Sequence, residues 1–559
     1  MLLLRRLLFG FLLLIGLPAL AATSNARTTA RLATLGRVWG LLKYYHPGLA
    51  PGRLNWDSVL VATIPRVQTA ADRAAWETAL TSLVQAAGPG PAAAGNWPVP
   101  AWLSTDQNLP AALRQQLTAL VRAYQPRDNA YVTKKYKQYT LSQPLFLGEK
   151  EYPTPAYPAE AYRLLGLFRY WNVIEYYYPF KAGTARDWQR VLPAYIPAFA
   201  GAADTLAYHQ LCRRLSAELR DSHAGAGSKV IQRQQGGGTV PFTATFTHGQ
   251  MVVERLRADS LAQACNVRPG DVITHLDGQP VRQARAARRP YFSASTPGAL
   301  ERDISSNLLL GPVGSRLRLT LRRGRETVQT SVPRFAWNDL KTKGRYGNRV
   351  AKPAWELKPG GVAYVRPLLL PLKDVDSLMH RLHQAPAIVF DIRSYPDWRM
   401  GAALARHLLP AGARTEASDE VDPQRPGQLM PAPADTARPA PRAAQPYRGR
   451  VFILADENTQ SAAEGLVMTL QAYPGAVTVG SPTAGANGNV TSVNLPGDVD
   501  MVFSGVVIKY PDGTPTQRRG VRIDVPVRPT AAGLAAGRDE VLEKALELAR
   551  QPIKPMAGR

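Results

Sequence analysis

Val451–Glu464, VFILADENTQSAAE, carries more information about the fold than any other part of this 559-residue chain. The apolar run Val451–Ala455 is short and rich in β-branched and large side chains, which predicts a buried strand. A polar loop, Asp456–Gln460, follows, and SAAEGLVMTLQ from Ser461 onward reads as a helix. A serine at a strand-to-helix junction has two uses. It can be an N-cap, with Glu464 three residues on completing a capping box. It can also be a nucleophile whose Oγ stands where helix-end N–H groups favour developing negative charge. The stretch alone leaves both open.

Around that stretch, the chain length predicts three or four domains, each large enough for its own core. Arg5 and Arg6, the apolar run Leu7–Leu17, Pro18 and the small-residue sequence Ala19-Leu20-Ala21 have the form of a secretory signal peptide. Residues 1–22 are therefore expected to be removed near Ala21 or Ala22. No later segment is long and apolar enough to span a bilayer, so an exported, soluble protein is expected, periplasmic or secreted. Two cysteines, Cys212 and Cys265, are too few for a disulfide framework, although one bridge between them is open to an oxidising compartment. The net charge of +26 is spread along the chain, mostly as arginine, without a dense basic block. That pattern argues against a nucleic-acid site and fits solubility with weak attraction to anionic surfaces.

The mature chain opens with a duplicated helical region. RLATLGRVWGLLKYYHP (Arg31–Pro47) recurs as RLLGLFRYWNVIEYYYP (Arg163–Pro179), and one offset relates Trp39 to Trp171, Trp56 to Trp188 and Asp72 to Asp204. The first copy with a Pro-rich connector occupies residues 23–160. The second occupies 161–238. Aromatic stripes at helical spacing are read as core. Only the second copy runs into LRDSHAGAGS (Leu219–Ser228), which displays Ser222 and His223 on a polar loop.

Residues 239–335 change to a strand pattern, with a Gly-Asp turn in VRPGDVITHLDGQPV (Val267–Val281). That element resembles the core motif of PDZ domains, which bind extended peptides or C-termini along an open strand edge. The resemblance points to Val267, Gly270, Asp271, Val272 and Ile273 as peptide-binding. Residues 355–559 alternate strands and helices, which predicts an α/β core with a cleft at the strand ends. Asp422–Tyr447, rich in Pro and Ala, is expected to be a loop or lid. His380 and His383 lie three apart on a predicted helix, and no Asp, Glu or Cys completes a ligand motif nearby. A solvated helix face is expected there, and no metal or cofactor.

Taken in order, the DSH loop, the PDZ-like element, VFDIR (Val389–Arg393), TQSAAE (Thr459–Glu464) and GSPTAGANG (Gly480–Gly488) resemble the tail-specific, or C-terminal processing, serine peptidases of family S41. The likeness extends from about Leu206 to Ala549. It implies a multidomain α/β protein with a ClpP/crotonase-like core, and places the nucleophile on Ser461. Where one branch of the family carries a catalytic lysine this chain has Ala486. Ser222-His223 matches the Ser-His pair of the tricorn-like branch, which implies His223 as general base and Ser222 as the residue orienting its ring. That branch's glutamate corresponds to Gln517, with Glu464 as an alternative acid. The glycine-rich strand end of the family reads DIRSYPDW here, so the oxyanion donors implied are the backbone N–H groups of Ala462 and Asp397. Asp391 and Arg393 are expected to anchor the strand end. Polypeptides are the implied substrates. A catalytically inactive scaffold that binds peptides through the PDZ-like module is the alternative.

Overall fold

A computed structural model describes residues 26–90, 94–134, 143–257, 259–340, 353–410, 412–431 and 446–551. The expected signal peptide and residues 432–445 of the Pro/Ala-rich segment lie outside them. Among the described residues no helix is long and apolar enough to cross a membrane.

The stretch Val451–Glu464 sits at the centre of a six-stranded sheet. Its spatial order is Trp355–Lys358, Val362–Val365, Ala387–Asp391, Arg450–Ala455, Val477–Gly480 and Val525–Pro526, all parallel except the first pair. Both faces are covered, which is why these strands read as continuous apolar runs. Ile388, Phe390, Ile453 and Ala455 face the helices Val375–Leu382, Met400–Leu408 and Ala462–Gln471. Val389, Phe452 and Leu454 face the helix Glu540–Arg550.

The two helical copies share one core. The helix over residues 26–45 packs on Glu160–Tyr177 so closely that a Cβ on Gly36 would stand 2.7 Å from the Phe168 ring, and one on Gly40 1.9 Å from Asn172 Cγ. Gly36 and Phe168 are equivalent positions in the two copies, as are Gly40 and Asn172, so a small residue in one makes room for a large one in the other. The same core takes in Val493, Leu495, Val499, Met501 and Phe503 from the hairpin Val490–Leu495/Val499–Ser504, which follows the helix Ala462–Gln471 in the chain. Arg169, fully buried, pairs with Asp57 of the first copy (2.6 Å) and donates to Asn494 O of that hairpin (2.7 Å). The helical region thus shares its core with that hairpin, which with Gly225–Gly227 forms a sheet of its own. Cys212 is buried in this core and Cys265 lies in the β-rich module; both are free, and no bridge joins them.

The β-rich module is an antiparallel sheet ordered Glu326–Pro333, Arg316–Arg323, Val272–Leu276, Gln250–Leu256, Phe242–Thr247. The helices Val281–Arg288 and Pro297–Leu308 accompany it.

Candidate active site

Ser461 stands between the strand Arg450–Ala455 and the helix Ala462–Gln471, at the C-terminal ends of the parallel strands, where open α/β sheets form their crevice. Its backbone departs from that of other helix caps in the molecule. Ordinary N-caps have extended φ/ψ, as at Asp72 (φ −131°), Asp204 (φ −157°) and Thr296 (φ −126°) in the same molecule. Ser461 has φ +59° and ψ −124°, a conformation that costs about 1–3 kcal/mol for a residue with a Cβ and that clusters at functional sites. A capping box with Glu464 is present as well, so the residue caps its helix from a strained turn, as a nucleophile elbow does.

Surrounding bonds hold that strain. Ser461 N–H donates to Ala486 O (2.9 Å) and lies 3.3 Å from Glu464 Oε2. The fully buried Glu464 carboxylate also accepts from Thr483 Oγ1 (2.6 Å), Gly485 N–H (2.8 Å) and Ala486 N–H (3.0 Å). Burial pushes its pKa up, and these donors act against that rise. Both oxygens are therefore committed to bracing the 483–486 turn against the helix Ala462–Gln471. Glu464 is a structural carboxylate rather than an acid partner of His223.

The Ser-His loop arrives by strand pairing. Gly225–Gly227 adds to the hairpin strand Val499–Ser504, with Gly225 opposite Val502 and Ala226 opposite Met501. Continuing that register places residue 223 opposite residue 504, and His223 Nδ1 lies 3.0 Å from Ser504 Oγ. Ser504 in turn donates to Asp221 Oδ1 (2.9 Å). Gln460, just before Ser461, donates through Nε2 to Ser222 O, just before His223 (3.1 Å), which ties the Ser461 turn to the His223 loop. Burial holds the His223 pKa below its ordinary value; Asp221 acts to raise it and Arg302 to lower it further.

Several expected roles move. Ser222 does not hold the imidazole: its Oγ donates to Ala484 O (2.7 Å) and accepts from Ser295 N–H (2.8 Å), which locks the loop rather than the ring. Gln517 is buried, and its Nε2 lies 3.3 Å from Ser295 Oγ, while its Oε1 has no hydrogen-bond partner among the described residues. Asp397 sits in the turn before Met400–Leu408, its carboxylate taken up by Arg399. Ala462 is the first residue of the nucleophile helix, where an N–H has no intrahelical acceptor. Asp391 and Arg393 pair, with Asp539 on the far side of the guanidinium (2.7 Å). Burial alone would raise the Asp391 carboxyl, but Arg393 and the Tyr364 hydroxyl outweigh it and bring it to about 2. His383 Nδ1 bonds His380 O on their helix.

The five residues expected to bind peptide do not form an edge. Val272 and Ile273 belong to a central strand with partners on both sides, Gln250–Leu256 and Arg316–Arg323. Val267 is core, and Asp271 is buried against Arg323 (2.7 Å). Gly270, at φ +86°, lies against Ala531 and Ala535 of the C-terminal segment, where a Cβ would stand 2.5 Å from Ala535 Cβ. The motif builds the module and docks it. The open edge on the catalytic side is Phe242–Thr247, and with the helix Pro297–Leu308 it walls a cleft of about 1510 Å³. The cleft extends to Ser222 and Asn458, the immediate surroundings of the couple, although neither Ser461 nor His223 lines it.

The sequence offers Asp221 only as the first letter of the DSH loop. Ser504 carries no signal at all, because a serine closing an alternating strand has no motif.

Residues 372–527 match the model of Peptidase family S41. No curated protein matches the chain. The structure of mature CPAF complexed with lactacystin superposes with a TM-score of 0.54 at 15% identity, over 70% of this chain and 98% of that one. Mature CPAF without that compound gives 0.54 at 14%, over 70% and 97%. The photosystem II D1 C-terminal processing protease is 18% identical over 67% of this chain and 97% of its own, at a TM-score of 0.38. The fold is shared with CPAF, and the matched segment is a serine-type peptidase domain.

Proposed function

With an S41 serine peptidase domain over residues 372–527 as the premise, we propose that the chain is an exported endopeptidase acting on unfolded or C-terminally exposed polypeptides. Ser461 is its nucleophile and His223 its general base. The observation that carries this reading is the strained backbone of Ser461, fastened through Gln460 to the loop that bears His223. Ser461 Oγ attacks the scissile carbonyl carbon while His223 Nε2 takes the hydroxyl proton. The carbonyl oxygen, now an oxyanion, is met by the Ala462 N–H at the helix start, with the Asp397 N–H as its second donor. Collapse breaks the C–N bond and the leaving amine takes the proton from His223. Water then attacks the acyl-enzyme, giving its proton to the same imidazole, which returns it to Ser461 Oγ.

Substrate enters as an added strand. The outer edge of Phe242–Thr247 offers unpaired backbone groups beside the helix Pro297–Leu308, the arrangement used in PDZ-type recognition. The cleft connects that edge to Ser222 and Asn458. A scaffold without chemistry is the second reading, favoured by Gln517, an amide bonded to Ser295 where the tricorn-like branch carries an acid. A fluorophosphonate probe separates them. The enzyme reading expects labelling of the wild type, none of Ser461→Ala and little of His223→Ala; an unlabelled wild type leaves the scaffold.

A further inference from the structure

His223 has a partner network that the Ser461/His223 couple by itself does not require. Asp221 and Ser504 are both fully buried. The Asp221 carboxylate accepts from Ser504 Oγ (2.9 Å), Ser504 N–H (2.9 Å) and His223 N–H (3.0 Å), with Tyr178 OH at 3.4 Å. A serine hydroxyl has one proton to donate, and an ionised carboxylate has none. The Ser504 proton therefore points at Asp221. At the 3.0 Å contact between Ser504 Oγ and His223 Nδ1 the hydroxyl is left as acceptor, so the ring proton sits on Nδ1 and Nε2 keeps its lone pair.

We propose that Asp221 and Ser504 are positioning residues of an Asp–Ser–His relay that fixes His223 in the Nδ1–H tautomer and aims its basic Nε2 at Ser461. This rests on His223 being the base. In a direct Asp–His pair the carboxylate touches the imidazole; here a buried hydroxyl is inserted between them. The insertion follows from strand pairing, since the register that sets Gly225 against Val502 sets residue 223 against residue 504. When the ring takes the nucleophile's proton, the Nδ1–H bond to Ser504 strengthens and the new positive charge faces the Asp221 anion. Arg302, on the helix Pro297–Leu308, is the charge that opposes it.

The test uses the full-length protein, with cleavage of unfolded casein as the activity and circular dichroism as the check on folding. Ser504→Ala is expected to lower kcat about 100-fold with KM little changed, the size of a general-base contribution. Asp221→Asn is expected to move the acid limb of the kcat/KM profile to lower pH, because the anion favouring the protonated ring is gone. A second measurement needs neither variant and no turnover. In Ser461→Ala protein labelled with ¹⁵N-histidine, the His223 signals, identified by their loss in the Ser461→Ala/His223→Ala double variant, should report the Nδ1–H tautomer. An Nε2–H tautomer there overturns the relay, as does a Ser504→Ala enzyme with unchanged kcat and pH profile. Full activity in His223→Ala removes the couple itself, a separate outcome from either.

Discussion

In the first helical copy Trp39 and Trp56 each donate their indole N–H to the other's carbonyl, at 3.1 and 3.0 Å. In the second copy Trp171 and Trp188 do the same, at 2.9 and 3.1 Å. Asp72 and Asp204 cap equivalent helices with the same 2.8 Å bond to the residue three further on. The copies part where these shared features stop. The first turns at Ala87 and Gly88 and ends there; the second continues through Asp221, Ser222 and His223 into a strand of another sheet. Residues that make the fold are common to both, and the proposed base lies beyond the last helix of only one.

The largest expected effect tests that contrast directly. His223→Ala should lower kcat/KM by about 10³-fold or more, whereas Gln85→Ala, at the end of the first copy's last helix, should leave it unchanged. With the neutral ring as the proposed base and its pKa depressed by burial, wild-type activity should rise with pH through a limb below the ordinary histidine value of about 6.5. A pH–rate profile measures it, and a limb above that value would contradict the buried placement of the ring.

Next come the tryptophans. Trp39→Ala and Trp171→Ala should each cost about 3–5 kcal/mol in denaturant unfolding, since both side chains are fully buried. Measured on the folded fraction, Trp171→Ala should also cut activity by loosening the Ser222-His223 loop, while Trp39→Ala should not. Equal losses of specific activity would show that the shared core makes the copies one mechanical unit.

A smaller effect probes the join between them. Gly40→Ala should destabilise by about 1–3 kcal/mol, because its Cβ meets Asn172. Asn172→Ala in the same chain should recover part of that loss, and a double-mutant cycle gives the coupling. Smallest are the caps. Asp72→Ala and Asp204→Ala should each cost about 1 kcal/mol and cost the same; unequal values would mean that one helix is held by its neighbours rather than by its cap.

Much of this is legible in the sequence, for reasons that differ by residue. VFILADENTQSAAE announces strand, loop and helix because composition and period carry that information. The φ of Ser461 is not legible, since it is set by Ala486 and Glu464 gripping the turn from elsewhere. Ser222 and His223 are visible as a polar loop. Which neighbour holds the ring is not, because Ser504 comes from a strand far along the chain. The Gly-Asp turn of Val267–Val281 misleads about binding for a related reason. A turn motif marks a module, but which strand becomes its edge depends on the order of all the others.

The short strand Gly225–Gly227 has a consequence for synthesis. His223, the proposed base, is translated before Ser461, the proposed nucleophile, and the hairpin Val490–Leu495 and Val499–Ser504 that pairs with the strand after His223 emerges after both. Domains fold as units in the order they leave the ribosome. A nascent or truncated chain lacking that hairpin therefore holds the His223 loop without Ser504 and without its strand partner. On the proposed mechanism, the order of the polypeptide delays activity until residues 490–504 have emerged.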